Sequence, residues 1–128
     1  MSSHSPVPEF DRHYAPGMSP HYRWIREYVH RHFNWSLAAF GAKQNTESIC
    51  SHIEKEVEEI RKNPEDLEEW IDIIILGLDG ALRCQGMGKV VADDLVDALE
   101  AKLQKNIQRK WIIPTDPTQP IEHDRTED

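Results

Sequence analysis

Between His52 and Arg83 the chain reads HIEKEVEEIRKNPEDLEEWIDIIILGLDGALR, and this stretch restricts the fold more than any other. Two acidic phrases, Glu56-Val57-Glu58-Glu59 and Glu69-Trp70-Ile71-Asp72, each carry outer carboxylates three residues apart. That spacing puts both acids of a phrase on one helix face. Asn63-Pro64 lies between the phrases, and a proline cannot continue a helix interior, so two helices are predicted rather than one. Asn63 is the expected cap of the later helix, with Glu65 and Asp66 in its first turn. So short a connection makes the two helices antiparallel neighbours. Folded back on each other, they can bring Glu56, Glu59, Glu69 and Asp72 into one volume, where like charges call for a cation.

The rest of the chain supplies helices to pack on this pair. Ser19-Pro20 is a helix start, after which Trp24, Ile25, Tyr28, Val29, His32, Phe33, Leu37 and Phe40 recur at helical steps up to Gly41. Asn45 or Thr46 is the expected cap of a second helix, whose apolar stripe is Ile49, Ile53, Val57 and Ile60. From Trp70 to Leu78 every residue except Asp72 and Gly77 is apolar, which predicts that the third helix is buried. Gly86-Met87-Gly88 ends it, and Val91, Leu95, Val96, Leu99, Leu103 and Ile107 mark a fourth helix to about Lys110. No internal repeat and no strand pattern is visible. Residues 1–18 read as a flexible arm, 19–111 as an all-α domain, and 112–128 as a proline-rich acidic tail, flexible unless it covers something. Four short helices, one of them apolar all round, leave too little chain to cover that helix, so the domain is expected to form a homo-oligomer.

Charge and composition exclude several classes. A formal net charge of -8 over 128 residues argues against nucleic acid as a partner. The start, MSSHSPVPEF, lacks the basic residues and apolar run of a signal peptide, and the run from Ile73 to Leu78 is too short to span a bilayer. A cytoplasmic protein without a membrane partner is expected. Cys50 and Cys84 show no CxxC spacing and read as small buried hydrophobes, which suits a reducing compartment.

Asp72 carries the chemistry furthest. Set among apolar neighbours, it is expected to be buried, and burying an unpaired carboxylate costs several kcal/mol. Its partner is either a side chain, Arg83, Lys102 or Arg109, or a metal ion shared with the other acids. Asp79, two turns on, lies on the same face as Glu69 and Asp72. Glu56 and Glu59 border the apolar stripe, whereas Glu54 and Glu58 point further toward water; a plain solvated face is the alternative. An all-carboxylate set suits magnesium or manganese, whereas zinc wants His or Cys and a di-iron site wants Glu-x-x-His from each of two helices. Here Glu27 to His30 is the single such pattern. Two or more ions can activate a water and stabilise a leaving oxygen. Lys102, Lys105, Asn106 and Arg109 would hold phosphates, or simply be a solvated helix end. His52, one turn before Glu56, either touches substrate, orients a carboxylate or is an ordinary surface histidine. Trp35, Phe33 and Phe40 either stack a nucleobase or belong to the core.

These residues fit a known pattern. Glu56-x-x-Glu59 followed by Glu69-x-x-Asp72 on consecutive helices, with Lys102 and Asn106 later, resembles the MazG-like all-alpha nucleoside triphosphate pyrophosphohydrolases. The phrases FNWSLAAFG, TESICSHIEKEVEEI, PEDLEEWIDIIILGLDGALR and KLQKNIQRKW, over roughly Phe33 to Trp111, are similar to the MazZ subgroup of dATP/dGTP diphosphohydrolases. The resemblance implies a four-helix, oligomeric (dimeric or tetrameric) fold with its site between subunits. It also implies magnesium-dependent cleavage of a purine deoxynucleoside triphosphate, dGTP or dATP, to the monophosphate and pyrophosphate. Glu56, Glu59, Glu69 and Asp72 would then be metal ligands, with Glu56 or Glu59 also orienting or deprotonating the attacking water. Lys102, Asn106 and Arg109 would be phosphate contacts, beside Lys105. The subgroup further suggests a phage protein, working in the host cytoplasm and supplying dGMP for diaminopurine DNA. A further acid often precedes the first motif in the family; here that place is Lys55, which leaves the number of ions open. Two alternatives stand beside this reading: hydrolysis of dUTP or dCTP, and a non-catalytic acidic helical protein whose carboxylates face a partner's basic surface.

Overall fold

The computed structural model describes residues 20–87 and 91–127; the flexible arm expected over 1–18 and the Ser19 cap lie outside them. Four helices follow in order: α1 Pro20–Phe40, α2 Thr46–Lys62, α3 Leu67–Arg83 and α4 Val91–Gln108. The chain divides into two compact units, Met1–Val96 and Asp97–Asp128.

In the first unit α3 packs against both α1 and α2. Its core is small: Val29 of α1, Leu82 of α3, and Ala92 and Val96 of the first turns of α4 are fully or almost fully buried. Tyr22, Ile25, Tyr28, Phe33, Val91 and Leu95 pack around them. Each large aliphatic side chain so enclosed contributes about 1.5–3 kcal/mol. Phe33 thus belongs to the core. The buried face of α1 continues through His32 and Ser36, which with Val29 recur at three- and four-residue steps.

Helix ends refine the expectations. Asp66, not Asn63, caps α3: its carboxylate accepts from the Glu68 amide at 3.0 Å. Asn63 instead closes α2, donating its amide to the Glu59 and Ile60 carbonyls. The α2–α3 turn is also fastened from the far side, where the Trp70 indole N–H donates to the Pro64 carbonyl at 2.9 Å. Gly41 ends α1 at φ 80°, a left-handed conformation that favours glycine.

The expectation that α3 is buried all round is corrected. Leu67, Trp70, Ile71 and Ile74, at 72, 49, 41 and 54% exposure, form one bare apolar stripe, and only its last residues, Leu82 and Arg83, are fully enclosed. The reason is the small number of elements in the first unit: α1 and α2 pack on one side of α3 and leave these four residues bare. The cysteines are corrected likewise, since Cys50 and Cys84 are both exposed free thiols.

In the second unit, α4 runs on to Gln108 and a short ladder follows. Trp111–Ile112 (β1) pairs antiparallel with Glu122–His123 (β2), Trp111 opposite His123, and a 3-10 turn over Arg125–Glu127 closes the described chain. The absence of strands expected from sequence is therefore corrected. Two residues per strand leave no room for a two-residue alternation to show. The ladder is framed by paired hydroxyl turns, Asp116 accepting from Thr118 and Asp124 from Thr126, each through both amide and hydroxyl.

Candidate active site

Antiparallel packing of α2 on α3 brings together three of the four predicted acids. Glu56, Glu69 and Asp72 each offer an oxygen, and these oxygens lie within 4.8 Å of one another. Glu59 stands outside this triad, half-buried one turn beyond Glu56. It is nonetheless close enough to be felt. Partial desolvation, then the charges of Asp66, Glu56, Asp72 and Glu59, hold the Glu69 carboxyl above its ordinary value. Four like charges bearing on one carboxyl are a site short of positive charge.

Asp72 is exposed. The expectation that burial forces a partner upon it is therefore corrected, because the bare stripe leaves α3 open. Convergence with two other carboxylates replaces burial as the argument for a cation. The buried salt bridge weighed for Asp72 is made two turns later, by Asp79. Arg83, 0% exposed, donates from Nε to Asp79 at 2.9 Å, and from its other nitrogens to the Ser36 hydroxyl and to the carbonyls of Ser36, Gly41 and Lys43. The remaining Asp79 oxygen accepts from the Ser36 hydroxyl and lies 3.0 Å from His32 Nε2. Burial pushes the Asp79 carboxyl up, but the hydrogen bonds from Ser36, His32 and Arg83 and the Arg83 charge outweigh it and hold it low. In sequence, His32 and Ser36 read as members of an amphipathic helix. Their occurrence on the apolar face of α1 was the one available sign of a buried polar network.

Beside the acids lies a cavity of about 330 Å³, at the small end of the range for ligand pockets. Glu56, Asp72 and Asp79 line it, with His52, whose Nε2 is 3.3 Å from Glu56 Oε1. Trp35 and Phe40 line it too, their rings edge to face at a centroid distance of 5.3 Å. Both residues are more than half exposed, so they are not the core residues that their helical spacing favoured. Asn45 and Ser48, from the start of α2, complete the polar part of the lining.

The predicted phosphate contacts are in the second unit. Lys102 and Lys105 are exposed on α4, and Asn106 and Arg109 are half-buried. Arg109 donates to the Asn106 side chain at 3.2 Å, and the Trp111 indole donates to the Asn106 carbonyl at 2.8 Å.

Helices that bring Glu56, Glu69 and Asp72 together beside a cavity lined by aromatic rings suit the class that the family match gives: an all-α nucleoside triphosphate pyrophosphohydrolase, a hydrolase acting on acid anhydrides. Residues 28–127 match a family model described as dATP/dGTP pyrophosphohydrolase, and the chain belongs to that family. No curated protein and no solved structure gives a match. Among the described residues no helix is long and apolar enough to cross a membrane. Family membership sets aside the non-catalytic acidic alternative.

Proposed function

We propose that the protein hydrolyses a purine deoxynucleoside triphosphate, dGTP or dATP, between the α and β phosphates, using magnesium or manganese bound at the acidic cluster. The observation that carries this is the convergence of Glu56, Glu69 and Asp72 beside an aromatic cavity, in a chain of the dATP/dGTP pyrophosphohydrolase family. The donor set fits the ion. Three carboxylates without His or Cys suit a hard cation that keeps waters and accepts phosphate oxygens, and a cation there would also offset the charges of Asp66, Glu56, Asp72 and Glu59 that, after desolvation, hold the Glu69 carboxyl high.

Glu56, Glu69 and Asp72, joined by Glu59, would hold the metal, which supplies charge neutralisation of the phosphates and lowers the pKa of a bound water. The protein's own share is positioning. Trp35 and Phe40 offer ring faces and edges to a nucleobase. His52 orients the Glu56 carboxylate. Glu56 or Glu59 takes the proton as water attacks the α phosphorus, and the bond from that phosphorus to the bridging oxygen breaks, releasing pyrophosphate. The phosphate-binding role of Lys102, Lys105, Asn106 and Arg109 rests on the family resemblance alone, which would give them a charge-assisted grip on the leaving group. The bare stripe of α3 supports a homo-oligomer, since exposed apolar patches of this kind mark association surfaces. A phage setting, in which dGMP is made for diaminopurine DNA, belongs to the same reading.

Incubation with each dNTP and magnesium, with products separated by chromatography, tests the proposal. Monophosphate and pyrophosphate from dGTP or dATP are expected. Orthophosphate release, or a preference for dUTP or dCTP, overturns it. Asp72→Asn should lower turnover at least about 100-fold while leaving the helical spectrum intact.

A further inference from the structure

One polar residue of the cavity lining is not occupied by the work its position normally implies. Asn45 is the N-cap residue of α2, and an asparagine there usually caps with its side chain. It sits instead at φ 55°, ψ 26°, in the left-handed region, and makes no side-chain capping bond. Its carbonyl alone starts the helix, accepting from the Ile49 amide at 2.9 Å. The contrast within the same chain is Asp66, which caps α3 in the ordinary way. Asn45 lines the same cavity as Trp35 and Phe40 and is half-buried.

The segment carrying Asn45 is also held in place. Arg83 donates to the carbonyls of Gly41 and Lys43, and the Gln44 amide donates to the Cys84 carbonyl at 3.0 Å. Residues 41–44 are thus pinned to the C-terminal end of α3 immediately before Asn45. A carboxamide on a fastened backbone, partly out of water and sharing one cavity with two aromatic rings, has the properties of a base-reading group.

We propose that Asn45 is a specificity-determining residue that reads the edge of the purine held against Trp35 and Phe40; this rests on the reading of the site given above. The chemistry explains how one residue serves two bases. A carboxamide offers one donor and one acceptor side by side. Adenine presents an amino donor next to a ring-nitrogen acceptor, and guanine presents an N1–H donor next to the O6 acceptor; turning the amide over satisfies either. A carboxylate offers acceptors only. It can still take two bonds from the N1–H and amino group of guanine, but it meets the ring nitrogen of adenine with a lone pair.

The test measures kcat/KM for dGTP and dATP with the parent enzyme, Asn45→Asp and Asn45→Gly. Both variants suit the backbone, because aspartate tolerates and glycine favours a left-handed φ; thermal unfolding verifies that they fold. The added charge of Asn45→Asp near Glu56 and Asp72 weakens both substrates, so the ratio is the readout. That ratio should move toward dGTP by about tenfold, and Asn45→Gly should lose about tenfold on both purines, mostly in KM. An active parent with a ratio unmoved in Asn45→Asp and unimpaired catalysis in Asn45→Gly overturns this inference alone. A parent inactive on both purine nucleotides overturns the reading of the site and this inference with it.

Discussion

Replacing Arg83 by methionine tests whether the first unit is held together by one buried charge. The guanidinium is 0% exposed and Asp79 is 13% exposed in its side chain, so the pair is shielded from the water that would otherwise compensate each charge. A methionine at this position would keep the bulk of the side chain but no donor. Asp79 would retain Ser36 and His32 yet lose its countercharge, and the carbonyls of Gly41, Lys43 and Ser36 would each lose a donor. Breaking a buried pair from one side costs about 3–5 kcal/mol, a large part of the roughly 5–15 kcal/mol of a typical domain. With a urea m-value of about 2 kcal/mol/M, the midpoint should fall by roughly 1.5–2.5 M, measured by circular dichroism at fixed protein concentration. Arg61→Ala is the control. Its ion pair with Glu58 joins two side chains that are 70 and 61% exposed, and should be worth less than about 1 kcal/mol. The sign of the pH dependence follows from the depressed Asp79 carboxyl. Its stabilisation is present above the ordinary aspartate value of about 3.9 and is lost as pH falls through the lower folded value. Asp79→Asn should therefore narrow its deficit to the parent as pH falls through that window. A loss below about 1 kcal/mol in Arg83→Met, equal to that of Arg61→Ala, would refute the reasoning.

Three further outcomes are expected. Magnesium at a hundredfold excess over its Kd should stabilise the protein by about 2.7 kcal/mol, raising the melting temperature by roughly 10 °C in a calorimetric scan, and Asp72→Asn should abolish most of that shift. Glu69 acts with the opposite sign to Asp79: its raised carboxyl makes the metal-free protein less stable as pH climbs from about 4.3 through the folded value. Glu69→Gln should therefore melt higher than the metal-free parent at pH 7, with the difference closing at pH 4. Ile74→Asp, in the bare stripe, should reduce the sedimentation coefficient to that of a monomer; an unchanged value would remove this face from any interface.

How much of this was legible in the sequence depended on whether a signal was periodic or particular. The acid pairs at three-residue spacing and the Asn63-Pro64 break are local, and they predicted an antiparallel α2 and α3 with converging carboxylates. Glu56, Glu69 and Asp72 do converge. Burial was harder to read, because an apolar residue facing a partner element and one facing solvent look alike in one chain. Asp72 was expected inside on the strength of its apolar neighbours from Trp70 to Ile75, of which Trp70, Ile71 and Ile74 prove to be exposed. The Arg83 network was invisible for the converse reason. Its partners come from three separate places, Ser36 and His32, Gly41 and Lys43, and Asp79, and no spacing rule links them. The ladder of Trp111–Ile112 with Glu122–His123 is too short for any pattern.

The two faces of α3 explain why its composition is so uneven. At 100° per residue, Glu69, Asp72 and Asp79 fall within about 80° of one another, while Leu67, Trp70, Ile71 and Ile74 centre roughly opposite them. The acids face the cavity and α2; the apolar stripe faces away. A second copy docked on that stripe would sit behind the ligand-bearing face, so it could bury the apolar residues without covering the carboxylates. It would also brace the helix that has to hold three like charges within 4.8 Å of one another. Repulsion among those charges opposes the packing of α2 on α3 when no cation is bound, and no residue of α2 is fully buried to offset it. Binding of a cation and burial of the stripe would then favour the same closed arrangement, and each should strengthen the other by the reciprocity of linked equilibria. If the stripe is the interface of a dimer, magnesium should lower its dissociation constant, and the Ile74→Asp monomer should bind magnesium more weakly by the square root of that factor, one site counting per subunit.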